Sequence, residues 1–220
     1  MKVAIFSQDQ DQTVKSVKAT LTAQGVESFS LTNKLVGKDV DYVIVTGGDR
    51  GVRTFFHRFN NITIPVLGIN EFESSGYLAQ TDLKEFSTYL NRLKKGNFSI
   101  EPLSRVGVKI DGKSIYPALN DVAIFSSKSA TLVEHVLRVN GEEFWHDSSD
   151  GLIVSTAIGS SAYSMSAGGP AIYQGSKVFC IVSVNSLDIT RRPLIVPEDS
   201  FIEIDDISSS LKCEVVMDGK

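Results

Sequence analysis

Cysteine and histidine are scarce in this chain of 220 residues, which has two cysteines and three histidines. Cys180 and Cys213 both lie in apolar strand patterns, which is typical of buried thiols rather than of a disulfide or a metal pair. The histidines, His57, His135 and His146, lack the spacing of a zinc site. We therefore expect neither a disulfide framework nor a structural zinc site.

A block of basic residues and a long apolar run are also missing. The net charge is −4, from 22 basic and 26 acidic side chains, so a nucleic-acid backbone is not an expected partner. The longest apolar stretches, such as Val178–Val182, are far too short to span a bilayer. The chain starts with a strand pattern and not with a signal peptide, because no long apolar segment follows Lys2. These absences predict a cytoplasmic protein without a membrane partner.

The first 96 residues carry the alternation of an α/β domain. Hydrophobic residues make up 42% and charged residues 22% of the chain, which is close to globular averages. The patterns predict strands at 2–6, 26–31, 41–45 and 64–69, and helices at 11–24, 52–59 and 82–95. Strands that alternate with helices favour a Rossmann-like parallel sheet with both faces covered.

Residues 97–220 read as a second, mostly β domain. The patterns predict strands at 105–110, 114–116, 121–125, 132–139, 151–155, 177–183, 194–196, 201–204 and 212–217, and one helix at 161–167. Asp111-Gly112 and Asn140-Gly141 are hairpin turn signals. We expect a two-layer β sandwich that packs on the first domain, with the boundary near Gly96 and the nucleotide site between the domains.

The stretch Asp150–Pro170 is the most informative part of the chain. An apolar strand leads into the turn Gly159–Tyr163, and a serine-rich run with Gly168-Gly169 follows. Small residues let a ligand approach the backbone, hydroxyls supply hydrogen bonds without bulk, and Tyr163 offers a flat face for a ring. This order predicts a nucleotide-binding turn, and the alternative is a tight strand-to-helix connection without a ligand.

Two shorter motifs could carry chemistry. Gly47-Gly48-Asp49 follows a buried strand, where a glycine pair can turn around a phosphate and Asp49 can act as a general base. The alternative is a turn in which Asp49 caps the next helix. Asn120 and Asp121 lie between two strand patterns and can grip a ribose through its hydroxyls, or simply form a turn.

Taken in order, these motifs resemble the NAD kinase family, also called ATP- or polyphosphate-NAD kinases. The matching pieces, over roughly residues 40–219, are GGD at Gly47–Asp49, LND at Leu119–Asp121, DGLIVSTAIGSSAYSMSAGGP at Asp150–Pro170, RPLIVP at Arg192–Pro197 and MDG at Met217–Gly219. The resemblance implies phosphoryl transfer from ATP or another phosphate donor to the 2′-hydroxyl on the adenosine side of NAD.

The resemblance also implies a set of NAD-binding residues in the second domain. Asn120 and Asp121 would contact the ribose and adenosine, Ser161 and Ala162 would face the adenine, and Tyr163 would face the nicotinamide end.

Further roles follow from the same resemblance. Asp49 would activate or position the acceptor hydroxyl, and Ser166 would approach the phosphates. Asp150 would contact the nicotinamide end, in this family from a neighbouring subunit, which implies a homodimer or homotetramer. Magnesium would be held mainly by the donor phosphates, as is common for that ion.

The chain departs from the family pattern near the donor motif. The GGDG turn reads GGDR, so Arg50 follows the phosphate-binding glycines Gly47 and Gly48, and Gly51 stands where threonine is usual. If this position needs a positive φ, arginine costs about 1 kcal/mol there; alternatively, Arg50 pairs with the donor phosphate. Ile158 cannot make the hydroxyl contact of the TPTGSTAY pattern.

Another departure is EFESSGYL after the GIN sequence, where the family has a glycine-rich stretch. Two other functions therefore stay open beside an NAD kinase. One is a non-catalytic dinucleotide binder, marked by Arg50. The other is a lipid kinase, since lipid kinases share a GGDG turn, although no amphipathic membrane segment is visible.

Overall fold

A computed structural model of the chain describes residues 1–8, 12–31, 40–60, 62–70 and 76–220. These residues form two compact units, Met1–Pro102 and Leu103–Lys220. Two sequence features fall partly outside the described residues: the first residue of the predicted helix 11–24, and residues 71–75 of the altered stretch after the GIN sequence.

The first unit is a parallel α/β domain, as the sequence predicts. Its elements are β1 (Lys2–Phe6), α1 (Gln12–Ala23), β2 (Glu27–Ser30), β3 (Tyr42–Thr46), α2 (Gly48–Arg58), β4 (Val66–Asn70), β5 (Ala79–Asp82) and α3 (Phe86–Lys94). The strand order is β2-β1-β3-β4-β5, and all neighbours are parallel. Leu21 of α1 and Leu90 of α3 are fully buried with Ile44 of β3, because their apolar spacing places them on the helix faces that meet the sheet.

Two helices of this unit begin at residues other than those that the sequence patterns predict. The helix predicted at 52–59 begins four residues earlier, at Gly48, directly after β3. The helix predicted at 82–95 begins at Phe86, because residues Ala79–Asp82 pair with β4 as a fifth strand that the patterns do not predict. This strand is short and polar, so neither its length nor its composition predicts a strand there.

The second unit is built from antiparallel strands. Its elements are β6 (Lys109–Ile110), β7 (Lys113–Ser114), β8 (Asp121–Ser126), β9 (Val133–Val139), β10 (Glu142–Ser149), β11 (Gly151–Thr156), a 3₁₀ turn (Gly159–Ser161), α4 (Tyr163–Ser166), β12 (Val178–Val184), β13 (Leu194–Pro197), β14 (Ile202–Ser208) and β15 (Cys213–Met217). One sheet has the order β10-β9-β14 and a second has the order β13-β12-β11-β8-β15, while β6 and β7 form a small hairpin.

Both large sheets of the second unit contribute to one apolar core. Leu137 of β9 packs in the same cluster as Leu152 of β11 and Ile181 of β12, and all three are at most 2% exposed. This arrangement confirms the predicted β sandwich. The patterns do not predict β10, because Glu142–Ser149 is mostly polar, yet it is the longest strand of the unit. The predicted helix 161–167 is a 3₁₀ turn followed by the four-residue α4.

Candidate functional site

In the first unit, the glycine pair after β3 makes a turn that other residues would adopt only at a cost. Gly47 has a φ of 94° and Gly48 has a φ of 59°, both in the left-handed region that favours glycine. The chain therefore turns directly from Thr46 into α2, and the first amides of that helix follow the carboxyl end of β3. This is the edge of a parallel sheet where ligands of α/β proteins bind.

The carboxylate of Asp49 holds the segment that precedes and begins β5. Its Oδ2 accepts the N–H of Tyr77 at 2.8 Å, and its Oδ1 accepts the N–H groups of Leu78 and Ala79, each at 2.9 Å. Asp49 does not cap α2, because the capping position is Gly47 and no side chain makes a capping bond there. The alternative reading of Asp49 as a helix cap is therefore wrong.

The neighbours of Asp49 leave little space around its carboxylate. A side chain at Gly76 would overlap the Asp49 carboxylate and approach Oδ1 of Asn70 to 3.0 Å. The Asn70 amide in turn donates to the Ala79 carbonyl at 3.2 Å and is 8% exposed. Strand β4, helix α2 and the start of β5 thus fix the orientation of Asp49.

In the second unit, the Leu119-Asn120-Asp121 segment is buried and held by hydrogen bonds on its backbone. Asn120 is 7% exposed and Asp121 is 5% exposed. The N–H of Thr156 donates to the Asn120 carbonyl at 2.9 Å, and the Thr156 hydroxyl donates to the Leu119 carbonyl at 2.8 Å. This burial is unlike an ordinary solvent-exposed turn.

The side chain of Asn120 presents a buried acceptor to whatever binds there. Its Oδ1 is inaccessible to solvent and has no hydrogen-bond partner among the residues that the structure describes. A buried carbonyl oxygen without a partner is costly, so this position favours a hydrogen-bond donor from a bound molecule.

The turn after β11 packs tightly against the same segment. Gly159 lies so close to Asn120 that an added Cβ would be 2.8 Å from the Asn120 Cα and nearer still to its carbonyl group. Ser160 is buried, where its hydroxyl donates to the Ala157 carbonyl at 2.7 Å and accepts the Ile172 N–H at 2.9 Å. The Ser160 hydroxyl thus has a structural role, and the sequence pattern alone does not distinguish it from the neighbouring hydroxyls that could face a ligand.

The remaining predicted residues of this turn are accessible. Ser161 is partly exposed and its hydroxyl donates to the Ile158 carbonyl at 3.1 Å. Ala162 is partly exposed and Ser166 is exposed. Tyr163 is 46% exposed, and its ring lies 5.7 Å from that of Phe125. This exposure leaves Tyr163 available to stack on a ligand ring.

Asp150 lies at the junction of β10 and β11. Its backbone N–H donates to the Val184 carbonyl at 2.8 Å, and its Oδ2 accepts from the Asn185 amide at 2.8 Å. Asn185 has a positive φ of 50°, so this contact closes a strained turn after β12. Asp150 is therefore oriented by the fold before any ligand arrives.

Three further residues help to build the site in the second unit: Gly159, which lies in the predicted nucleotide-binding turn, and Thr156 and Asp218, for which the motifs predict no individual role. Thr156 and Gly159 hold Asn120 from one side, and the carboxylate of Asp218 accepts backbone N–H groups on the other side. Asp218 lies within the MDG piece of the family resemblance, but nothing local shows which segment its carboxylate reaches.

A cavity of about 670 Å³ lies elsewhere in the second unit, and none of the predicted site residues lines it. It contains His135 beside Asp147, which are direct partners across β9 and β10, and Arg191, whose guanidinium lies over the Trp145 ring at 4.6 Å. Burial lowers the pKa of His135, and Arg191 adds to this effect, whereas Asp147 and the Val133 carbonyl oppose it.

Within the part of the chain that the structure describes, no three metal-binding side chains cluster.

Among the described helices, none has the length and apolar character needed to cross a bilayer.

Comparison with known families covers both units. The ATP-NAD kinase N-terminal domain matches residues 3–98, and the ATP-NAD kinase C-terminal domain matches residues 119–220. This chain belongs to the NAD kinase family. The resemblance of the sequence motifs is thereby confirmed, and the Asp49 turn and the Asn120 segment each fall within a matched NAD kinase domain.

Curated NAD kinases match most of the chain. The NAD kinase of Methanopyrus kandleri is 32% identical over 197 residues, which is 89% of this chain and 71% of that protein. The NAD kinase of Porphyromonas gingivalis strain W83 is 35% identical over 182 residues, or 82% of this chain and 63% of that protein. The chain thus spans between three fifths and three quarters of the length of these two NAD kinases.

Solved structures of NAD kinases share the fold. An NAD kinase from Archaeoglobus fulgidus in complex with ATP has a TM-score of 0.85 at 27% identity, covering all of this chain and 85% of that one. Yeast NADH kinase complexed with NADH has a TM-score of 0.84 at 21% identity, covering all of this chain and 73% of that one. The second likeness supports the fold alone.

The departures from the NAD kinase pattern fit the structure of the first unit. Arg50 lies in the first turn of α2 and is exposed, and it is not among the described residues with a positive φ. The cost of about 1 kcal/mol that arginine has in the left-handed region therefore does not apply to Arg50. Gly51 is buried, and a side chain there would overlap the Thr46 carbonyl, so the threonine that is usual in the family has no room in this chain.

Proposed function

We propose that this chain transfers a phosphoryl group from ATP or polyphosphate to the 2′-hydroxyl of the adenosine ribose of NAD, which gives NADP. The hydroxyl oxygen forms a bond to the terminal phosphorus of the donor, the bond from that phosphorus to its leaving oxygen breaks, and the hydroxyl proton is released. The observation that carries the proposal is the buried, unpartnered Oδ1 of Asn120 within a matched NAD kinase domain.

The acceptor is proposed to bind along the Asn120 segment and the turn after β11. Asn120 Oδ1 accepts a ribose hydroxyl, and Asp121 contacts the same nucleoside. Ser161 and Ala162 face the adenine, which suits their partial exposure and small size. The exposed Tyr163 ring stacks toward the nicotinamide end.

The proposal places two further groups along the dinucleotide. Asp150 contacts the nicotinamide end, supported by its orientation through Asn185. Ser166, which is exposed on α4, approaches the phosphates. The homodimer or homotetramer and the cytoplasmic location remain predictions from the sequence.

Asp49 is proposed to orient the attacking hydroxyl. An ionised carboxylate has about four acceptor positions. Among the described residues, the N–H groups of residues 77–79 take three of them, two on Oδ1 and one on Oδ2, which leaves one position on Oδ2 for a ligand hydroxyl. Positioning of this kind is the main requirement, because phosphoryl transfer needs alignment and charge neutralisation more than covalent chemistry.

The donor is proposed to bind at the start of α2. The first amides of a helix have no partner within the helix and attract anions, and the turn at Gly47 and Gly48 brings them to the end of β3. Arg50 adds a positive charge to this first turn, where a cation is otherwise unfavourable by about 0.3–1 kcal/mol toward the helix dipole. A phosphate would relieve that cost and pair with the guanidinium.

Magnesium is the expected cofactor of this donor. We expect the donor phosphates to hold this ion for the most part, as is common for magnesium. When bound, the ion neutralises charge on those phosphates.

The direct test is NADP formation by the purified chain with NAD, magnesium and either ATP or polyphosphate. Product with one donor supports the proposal and names the donor. Calorimetry with NAD runs beside this assay, so that binding and turnover are read separately. Measurable NAD binding without NADP from either donor would contradict the transfer step and favour the non-catalytic binder.

The role of Asp49 is tested by Asp49→Asn with Asp82→Asn as a matched control. Asp82 also accepts two backbone N–H groups, those of Lys84 and Glu85, at 2.8 and 2.9 Å. We expect Asp49→Asn to lower kcat about a hundredfold or more with NAD binding retained, and Asp82→Asn to stay within about twofold of wild-type kcat. Equal kcat in the two variants would remove Asp49 from its proposed role.

A further inference from the structure

The side chain of Asp218 makes a cluster of hydrogen bonds to which the proposed function assigns no role. It is 7% exposed, and its carboxylate accepts three successive backbone N–H groups. Oδ2 accepts from Leu119 at 2.9 Å, and Oδ1 accepts from Asn120 at 2.6 Å and from Asp121 at 3.1 Å. Hydrogen bonds to a charged acceptor are stronger than neutral ones, so this contact fixes the backbone firmly.

A two-residue turn at the end of β15 delivers this carboxylate. Met217 and Lys220 exchange both backbone hydrogen bonds, at 2.9 and 3.0 Å, across Asp218-Gly219. Asp218 has a φ of 50° and Gly219 a φ of 80°, as a type I′ turn requires. Strand β15 pairs with β8 so that Met217 lies opposite Val122, which places Asp218 beside the residues that precede that strand.

Asn120 is consequently held at both polar groups of its backbone. Its N–H donates to Asp218, and its carbonyl accepts from the backbone of Thr156. Gly159 packs against the same peptide without leaving room for a Cβ. With the backbone held in this way, the direction of the Asn120 side chain, and of its unpartnered Oδ1, depends on these contacts.

We propose that Asp218 is a positioning residue of the NAD site: its carboxylate holds the backbone of Leu119–Asp121 so that Asn120 Oδ1 meets a ribose hydroxyl of NAD. The inference rests on the proposed function, because it assigns Asn120 to the acceptor. Asp218 itself contacts the protein backbone, and its effect on NAD passes through Asn120.

The variant Asp218→Asn separates the charge from the turn. Asparagine also tolerates a positive φ, so the hairpin is preserved. Its single carbonyl oxygen must serve three donors, and its NH₂ group faces an N–H. The matched control is Asp111→Asn, since Asp111 also precedes a glycine in a two-residue hairpin, with a φ of 48°, but is exposed.

The decisive readout is a double-mutant cycle with Asn120→Ala on the dissociation constant for NAD, measured by calorimetry. We expect Asp218→Asn to weaken NAD binding at least tenfold in the wild-type background and less than twofold in the Asn120→Ala background. Residues that act through one another are non-additive in this way, whereas a general loss of stability acts equally in both backgrounds. Asp111→Asn is expected to change NAD binding less than twofold.

Amide hydrogen exchange on the unliganded wild-type chain tests the contact without any variant. The amides of Leu119, Asn120 and Asp121 are expected to exchange as slowly as those of the neighbouring strand β8. Exchange at the rate of an open loop would overturn the inference. So would an equal fold-change in the NAD dissociation constant on Asp218→Asn in the wild-type and Asn120→Ala backgrounds. A wild-type chain that binds no NAD would instead overturn the proposed function, so the two failures are distinguishable.

Discussion

Gly159→Ala is the sharpest perturbation that the structure offers. The added methyl group would lie 2.8 Å from the Asn120 Cα and closer to its carbonyl group, whereas ordinary contacts of a Cβ begin at 3.4 Å. The Asn120 carbonyl oxygen, 1.9 Å from the added carbon, must therefore retreat by about 1.5 Å to reach ordinary contact. The Thr156 N–H bond to that carbonyl, now 2.9 Å long, would then be lost.

The expected magnitude follows from these two effects. Overpacking of a filled interior costs about 1–3 kcal/mol, and loss of one backbone hydrogen bond costs about 1 kcal/mol. We therefore expect Gly159→Ala to lower the free energy of unfolding by about 2–4 kcal/mol. Because a misplacement of about 1 Å in a binding site can cost a hundredfold in rate, we expect kcat/KM for NAD to fall by about that factor.

Urea unfolding and steady-state NADP formation measure the two effects separately. The control is Gly107→Ala, since Gly107 has no positive φ and an added Cβ there meets nothing within 4 Å. This control is expected to be neutral or stabilised by up to about 1 kcal/mol. A Gly159→Ala variant with the stability and kcat/KM of the control would refute the assignment of close packing against Asn120.

Three other outcomes are expected. Tyr163→Ala weakens NAD binding by about 1–3 kcal/mol without lowering Tm, because the ring is 46% exposed and stacks on the ligand; unchanged affinity by calorimetry would place the ring outside the site. Burial lowers the folded-state pKa of His135, so its contribution to stability is complete above about pH 6.5 and decreases as the pH falls below that value. His135→Gln should therefore show a shallower loss of unfolding free energy from pH 7 to 5 than wild type, and parallel curves would contradict this. Arg50→Gly raises KM for the phosphate donor about tenfold if the guanidinium binds phosphate, and an unchanged KM would exclude that contact.

The parallel sheet of the first unit was predictable because β1, β3 and β4 are mainly apolar runs and the helices between strands carry apolar residues at helical spacing. Strand β5 was not predictable, since Ala79–Asp82 forms a strand only through its pairing with β4. Strand β10 was missed for a related reason. Its polar residues Glu142–Ser149 are held by pairing with β9, and pairing with a neighbour overrides weak intrinsic preference.

Asp49 and Asp218, which both hold backbone segments, show the same difference between what the local sequence predicts and what tertiary contacts add. Asp49 was visible in a glycine-rich motif, but its bonds to residues 77–79 join positions 28 to 30 residues apart. Asp218 was visible as part of the MDG piece, but it binds amides 97 to 99 residues earlier in the chain. Neither partner segment could be named from local patterns, because strand pairing alone brings them together.

Local chemistry along the chain therefore accounts for the fold class, the family and the residue types offered to the ligand. Glycines at the turns, apolar periodicity and the block Asp150–Pro170 act through conformational preference and burial, which are properties of neighbouring residues. The tertiary structure decides the rest: which amides each carboxylate receives, and that Asn120 Oδ1 is buried without a partner among the described residues. Those facts depend on contacts between segments that are distant in the sequence, because only folding brings these polar residues together.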